Sequence, residues 1–102
     1  MYASQTRSRS VNTRIALATT RKGTSTVIEY FGKMKALGDE MAASGHSLDE
    51  EELVEYIITD LDDKYTSLVS TLCARKEPIS VSELYSQMLN FETRIGLFQE
   101  GN

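Results

Sequence analysis

Four consecutive acids at residues 49–52 open the stretch SLDEEELVEYIITDL and are the first residues whose chemistry needs an explanation. A catalytic carboxylate pair needs two groups that converge, one of them with a pKa raised by burial or crowding. Consecutive residues of a helix point in different directions around its axis, and no arginine or lysine between Asp39 and Asp63 orients these four. The run is therefore interpreted as the acidic first turn of a helix, where carboxylates offset the positive end of the helix dipole.

Residues that could bind a metal ion do not form a recognised pattern. Helical di-metal sites use Glu-x-x-His, but the single histidine, His46, precedes the acids in a turn. The stretch DLDDKY matches a calcium loop at two ligand positions and then has Tyr65 where glycine is required. One histidine without a nearby cysteine forms no zinc site, and Cys73 lies on an apolar stripe, which predicts a small buried side chain. We expect no metal and no other cofactor.

Motifs for nucleophilic catalysis and phosphate binding are also missing. The chain has no Gly-x-Ser-x-Gly elbow and no second histidine. The stretch RKGTST lacks the upstream glycine and the Gly-Lys-Ser/Thr order of a phosphate-binding loop. We therefore expect a protein that is not an enzyme.

Charge is distributed in blocks along the chain. Residues 1–24 carry five bases and no acid, whereas residues 25–63 carry eleven acids and two lysines. Arginines at a spacing of seven share one helix face, and such a row can follow a phosphate backbone with salt-sensitive affinity. The candidate nucleic-acid contacts are Arg7, Arg9, Arg14, Arg21 and Lys22. The alternative is that these bases form a solvated face or a contact between copies of the chain.

Length and composition favour one small domain in a reducing compartment. The chain has 102 residues, 40% of them hydrophobic, and one cysteine, which excludes an internal disulfide. No apolar run approaches the roughly 20 residues needed to span a bilayer, and the start MYASQTRSRS lacks the apolar core of a signal peptide. The expectation is a cytoplasmic protein that does not enter a membrane, with residues 1–102 as one domain.

The hydrophobic spacing predicts an all-α bundle of about five helices. A first helix is expected over about residues 3–20, ending before Gly23, and a fourth restarts at Asp62 and stops before Pro78. Three other helix starts carry a capping box, in which a Ser, Thr or Asp is followed three residues later by Glu. These pairs are Thr26 with Glu29, Asp49 with Glu52, and Ser80 with Glu83.

Four segments in this order resemble the Gag polypeptide of copia-type LTR retrotransposons. They are MYASQTRSR, KGTSTVIEYFGKMKALGDEMAASG, LDEEELVEYIITDLDDKYTSLVSTL and PISVSELYSQMLNFETRI. The resemblance is collinear over about residues 2–95. It implies an all-α domain similar to the C-terminal half of a retroviral capsid protein, with residues 1–24 coming from the junction with an upstream half.

The resemblance implies a structural role in a virus-like particle that encloses the RNA of the element. The chain has no Cys-x₂-Cys-x₄-His-x₄-Cys zinc knuckle, so RNA contact is expected to be weak and homo-oligomerisation to dominate. Interface candidates near the two ends of the chain are Val11, Ile15, Phe91, Ile95, Leu97 and Phe98. An alternative is a domesticated module that binds RNA or a host protein.

Overall fold

The structure, a computed structural model, describes the backbone of residues 2–100 and the side chains of residues 8–96. It is all-α, as the hydrophobic spacing predicts, with no strand among residues 2–100. A 3₁₀ turn at Asp63–Tyr65 leads into the fourth of five α-helices. The helices are α1 (Tyr2–Thr19), α2 (Val27–Ala43), α3 (Glu50–Thr59), α4 (Thr66–Cys73) and α5 (Val81–Glu100).

Capping side chains begin the helices where the sequence predicts. Thr26 accepts a hydrogen bond from the Glu29 backbone N–H at 3.1 Å, and the Glu29 carboxylate accepts one from the Thr26 N–H at 3.0 Å. An Asp49–Glu52 box begins α3 in the same way. Ser80 accepts from the N–H of the third residue of α5. Each cap satisfies an N–H that has no partner within its helix.

The first helix ends within one residue of its expected range, about residues 3–20. It stops at Thr19, so Arg21 and Lys22 lie in the connection to α2, and Gly23 takes a left-handed turn conformation with φ +51°. The hydroxyls of Thr19 and Thr20 bond to carbonyls one turn back. Side-chain hydrogen bonds of this kind compete with continuation of the helix. Because α1 ends before Arg21, the arginines that are spaced seven residues apart do not all lie on one helix face.

Helix α2 contacts α1, α3 and α5 and carries the largest share of the core. The Tyr30 hydroxyl, fully buried, donates to the carbonyl of Ile57 in α3 at 2.8 Å. The Val27 N–H donates to the Glu92 carboxylate of α5 at 2.9 Å. Among the described residues, the other large apolar side chains with no exposed surface are Leu17, Val27, Met34, Met41, Ile57, Leu84 and Met88.

One expectation about a small residue is corrected by the packing. Cys73, expected to be buried, is exposed at the last position of α4. At Gly32, no neighbouring atom would lie within 4 Å of an added methyl group, so this glycine is not needed for a close contact between helices. At Gly38, an added methyl group would lie 3.8 Å from the methyls of Leu53, which is an ordinary contact distance. Gly45 has φ +85° and ends the turn after α2, as its type predicts.

The molecule is long and thin for its size. Its principal extents are 58 × 30 × 18 Å and its radius of gyration is 15.3 Å, against about 13 Å for a compact domain of 100 residues. Within the described residues, no helix has the length and apolar character to cross a bilayer. Because the molecule is elongated, much of each helix lies at its surface and is open to contact.

Candidate interaction surfaces

An open apolar groove lies between α2 and the first turns of α3 and α5. Its volume is about 780 Å³. Its apolar wall is formed by Ile28, Phe31, Leu48, Leu53, Val81 and Tyr85. We call this surface the groove.

A hydrogen bond links the starts of α3 and α5 beside the groove, and an aromatic contact links α2 to α5. The Glu50 carboxylate in α3 accepts a hydrogen bond from the Val81 backbone N–H, the first of α5, at 2.9 Å. A carboxylate is well placed there because the start of a helix carries partial positive charge. The Phe31 and Tyr85 rings meet edge to face with their centroids 4.9 Å apart. The groove is therefore a fixed feature of the bundle.

The edge of the groove combines an exposed isoleucine with charged groups. Ile28 is 63% exposed, a high value for a large apolar side chain. Lys35 lies on α2, and Asp49 and Glu50 lie at the start of α3, where Glu51 continues the acidic run. All four charged side chains are exposed. The groove thus offers an apolar floor with acids along one side.

A second uncovered apolar surface is the outer face of α1, formed by Val11, Ile15 and Ala18. Val11 is 51% exposed and Ile15 is 54% exposed, and Ala18 is exposed as well. The opposite side of α1 packs on α2 and α3 through Leu17 and two small polar residues, Ser10 and Thr13. The apolar spacing of α1 therefore marks its solvent side, which agrees with the exposure expected of an interface candidate.

The basic residues of the first segment do not form one surface. Arg9 is exposed on α1, and Arg21 is exposed in the connection after it. Arg14 turns to α3, with its guanidinium 3.9 Å from the Glu52 carboxylate and 3.5 Å from the Tyr56 hydroxyl. The side chain of Arg7 lies outside the described residues. RNA contact through this group stays a prediction.

Lys22, expected to contact nucleic acid, is buried in the structure. Only 7% of the residue is exposed. Its Nζ donates to the Ser25 carbonyl at 2.7 Å and lies 5.0 Å from the centroid of the Tyr65 ring. The carbonyl and the ring face stabilise the ammonium group inside the protein, so in this structure the charge of Lys22 is not exposed for contact with phosphates.

The interface candidates of α5 are less exposed than the sequence suggests. Phe91 and Ile95 are partly buried and pack against the core, and the Phe91 ring lies 5.2 Å from that of Tyr65. The side chains of Leu97 and Phe98 lie outside the described residues. Because two of the four contribute to the core, a substitution there would change stability together with any association.

Asp60 is a buried carboxylate at the end of α3. It is 1% exposed, and its Oδ2 has no hydrogen-bond partner among the described residues. Its own carbonyl accepts from the Lys22 backbone N–H at 3.3 Å, which attaches the connection after α1 to α3. Burial raises the pKa of Asp60 to about 6, although the positive charge of Arg21 opposes this shift. Burial and the nearby Asp60 charge also raise the pKa of Tyr30.

One serine–histidine pair needs to be assessed for catalysis. The Ser10 Oγ lies 3.0 Å from the Nδ1 of His46, and the carbonyl of Ser44 lies 3.0 Å from the same nitrogen. A carbonyl only accepts hydrogen bonds, so this contact favours a proton on Nδ1, and that nitrogen is then no base for the hydroxyl. We interpret the pair as a link between α1 and the turn after α2.

Sequence reasoning missed the groove and the burial of Asp60. Ile28 follows the core residue Val27 directly and falls beside the apolar stripe of α2, so an apolar residue off the stripe was an available signal. Asp60 lies near the end of the acidic block of residues 25–63 and has the same side chain as Asp62 and Asp63, which follow it. Among the described side chains, no cluster of three or more His, Cys, Asp or Glu residues could hold a metal ion.

The chain is all-α, and its distinctive surface features are an open apolar groove and an exposed apolar face of α1. A retrovirus-related Pol polyprotein from transposon RE1 of Arabidopsis thaliana is 26% identical over 95 residues, covering 93% of this chain and 6% of that relative. A corresponding polyprotein from transposon RE2 is 28% identical over 57 residues, covering 56% of the chain and 4% of the relative. No family model matches the chain, and no solved structure matches it significantly.

These similarities support a retrotransposon origin for the chain. They span a small part of each relative, since the chain covers 6% of the first and 4% of the second. The activities of the whole polyproteins therefore do not transfer to this segment. What the segment itself does has to be argued from its own surfaces.

Proposed function

We propose that this chain is a self-association module of a copia-type retrotransposon Gag capsid protein. In this role it forms dimers or larger assemblies within a particle that encloses the RNA of the element. The role is structural rather than catalytic. The collinear resemblance to Gag segments and the all-α fold support the proposal.

One observation carries the proposal furthest. Among the described side chains, the exposed large apolar residues are Val11, Ile15 and Ile28. All three lie on the two contact surfaces, the outer face of α1 and the groove. Exposed large apolar side chains that lie beside further apolar residues, as on these two surfaces, are typical of sites that contact another macromolecule. A capsid module meets that requirement with further copies of itself.

The test is the mass of the protein in solution as a function of its concentration. Light scattering behind a sizing column measures it directly, at low and at moderate salt. We expect species heavier than the 11.4 kDa chain that increase with concentration. A mass of one chain at every concentration and salt would contradict the proposal.

A further inference from the structure

The two uncovered surfaces of the molecule complement each other. We propose that the outer face of α1 in one copy docks into the groove of a second copy, so that each contact joins two different surfaces. This inference rests on the proposed self-association and names the surfaces that carry it.

The first argument is the shape and chemistry of the two partners. Val11, Ile15 and Ala18 follow the i, i+4, i+7 spacing with which an amphipathic helix enters an apolar groove. The groove offers an open volume of about 780 Å³ with apolar walls. At its floor, Gly32 leaves the space beside α2 free of side-chain atoms. A helix face with two branched side chains and one alanine matches such a shallow groove.

The second argument is charge complementarity. Among residues 8–19 of α1, the exposed charged side chains are Arg9 and Arg14, the latter also facing Glu52 of its own α3, and no acid lies among these residues. The groove has exposed acids along the start of α3 at Asp49, Glu50 and Glu51. Opposite charges on the two surfaces favour this pairing, speed its encounter and oppose pairing of like with like. Two α1 faces placed against each other would instead bring basic segments together.

The third argument is that one copy cannot fill its own groove. Ala16 and Thr20 of the first segment lie beside Lys33, Leu37 and other residues on one side of α2. The groove lies on a different side of that helix, at Ile28, Gly32 and Lys35. The α1 helix is held away from the groove by its own packing, so the contact has to come from another molecule. A contact between two different surfaces repeats from copy to copy and builds rings or chains.

The test uses one variant for each surface. Ile15→Asp places a charge on the outer face of α1, and Ile28→Asp places one at the edge of the groove. Both positions are more than half exposed, so both variants should fold, which circular dichroism checks. Ser70→Asp adds the same charge at an exposed position of α4 away from both surfaces and serves as the matched control.

We expect each variant alone to weaken self-association at least about tenfold in dissociation constant, because the contact would bury an unpaired carboxylate, while the control behaves as wild type. Mixing the two variants should restore a single contact, because Ile15→Asp keeps an intact groove and Ile28→Asp keeps an intact α1 face. The mixture should reach twice the 11.4 kDa of one chain and stop there.

The alternative outcomes separate this inference from the proposed function. If wild type associates and Ile28→Asp has no effect, the groove binds no second copy and the inference fails, while self-association stands. If both variants stay monomeric when mixed, the interface pairs like surfaces and the inference fails as well. If wild type is a monomer throughout, the proposed function fails and the inference with it.

Discussion

The groove and the outer face of α1 are both apolar and uncovered, but they are built differently. In the groove, Phe31 and Leu53 also pack on the core, and hydrogen bonds fix the surrounding helix starts. On α1, Val11 and Ile15 are about half exposed and are not among the residues that form the core or pack against it. Among the described side chains of α1, the large apolar residue buried against the bundle is Leu17, with the small polar residues Ser10 and Thr13 beside it.

This difference separates stability from binding on the two surfaces. A change within the groove alters the core and the contact surface together, apart from its edge at Ile28. A change on the outer face of α1 alters the contact surface alone. The predictions below test this contrast in the order of the expected effect on stability.

The largest effect on stability is expected from truncating Leu17, the buried leucine of α1. Leu17→Ala should lower the free energy of unfolding by about 2–5 kcal/mol, because it leaves a cavity in a fully buried position. Ile15→Ala, two residues earlier on the outer face, should change it by less than about 0.5 kcal/mol. Urea denaturation of both variants measures the contrast, and equal losses would contradict the assignment of the two faces.

A smaller effect is expected from the buried carboxylate that lies beside the attachment of α1 to α3. The folded protein raises the pKa of Asp60 from 3.8 to about 6, so it binds this proton more tightly than the unfolded chain. The contribution of Asp60 to stability is therefore present below about pH 4 and is lost as pH rises through about 6. Integrated over that range, the loss is on the order of 2 kcal/mol.

Asp60→Asn tests this linkage because it removes the titrating group. The difference in unfolding free energy between the variant and wild type should increase in favour of the variant from pH 4 to pH 7.5. Subtracting the two profiles cancels the titration of the other acids. Denaturation across this pH range gives the difference, and a constant value would show that Asp60 does not titrate abnormally.

A still smaller loss of stability is expected at the edge of the groove. Asp49→Ala removes the side chain that accepts from the Glu52 N–H at 2.8 Å, and loss of such a cap costs about 1 kcal/mol. The start of α3 should then fray, and self-association should weaken because the groove loses a defined edge. Hydrogen exchange at Glu52 and the mass measurement report the two effects. Asp49→Ser, which keeps a cap but not the charge, should restore the protection of Glu52 and only part of the self-association.

The smallest effect on stability is expected from the exposed ion pair between α1 and α3. Arg14→Gln removes a contact whose charged atoms are 3.9 Å apart and nearly half exposed, and such pairs contribute at most about 1 kcal/mol. Denaturation should therefore give nearly the wild-type value. A loss as large as that of Leu17→Ala would mean that charge, rather than Leu17, holds α1 in place.

The fold could be predicted from the sequence because its signals are local. Capping boxes such as Thr26 with Glu29 involve residues three apart, and the stripe Val27, Phe31 and Met34 follows the helix period. The same local reasoning did not predict the buried position of Lys22, because its partners Ser25 and Tyr65 come together only after the helices pack. Asp60 is buried for the same reason, since burial depends on what covers a residue.

The site could be predicted in part. The outer face of α1 was identified as a candidate from the spacing of Val11 and Ile15. The groove was not, because it forms where the starts of α3 and α5 meet α2, and no single segment contains it. Cys73 was expected to be buried because it extends the stripe of Leu68 and Leu72, yet it is the last residue of α4 and lies at the edge of that stripe.

The exposed position of Cys73 has a practical consequence for following assembly. It is the one thiol in the chain, and it lies outside the residues that line the groove and the outer face of α1. A maleimide dye therefore attaches to each copy at one defined place. Copies labelled with donor or acceptor dye, once mixed, would report by energy transfer how fast subunits exchange between assemblies. The same thiol makes a reducing buffer necessary, since oxidation would join two copies through a bond unrelated to their assembly.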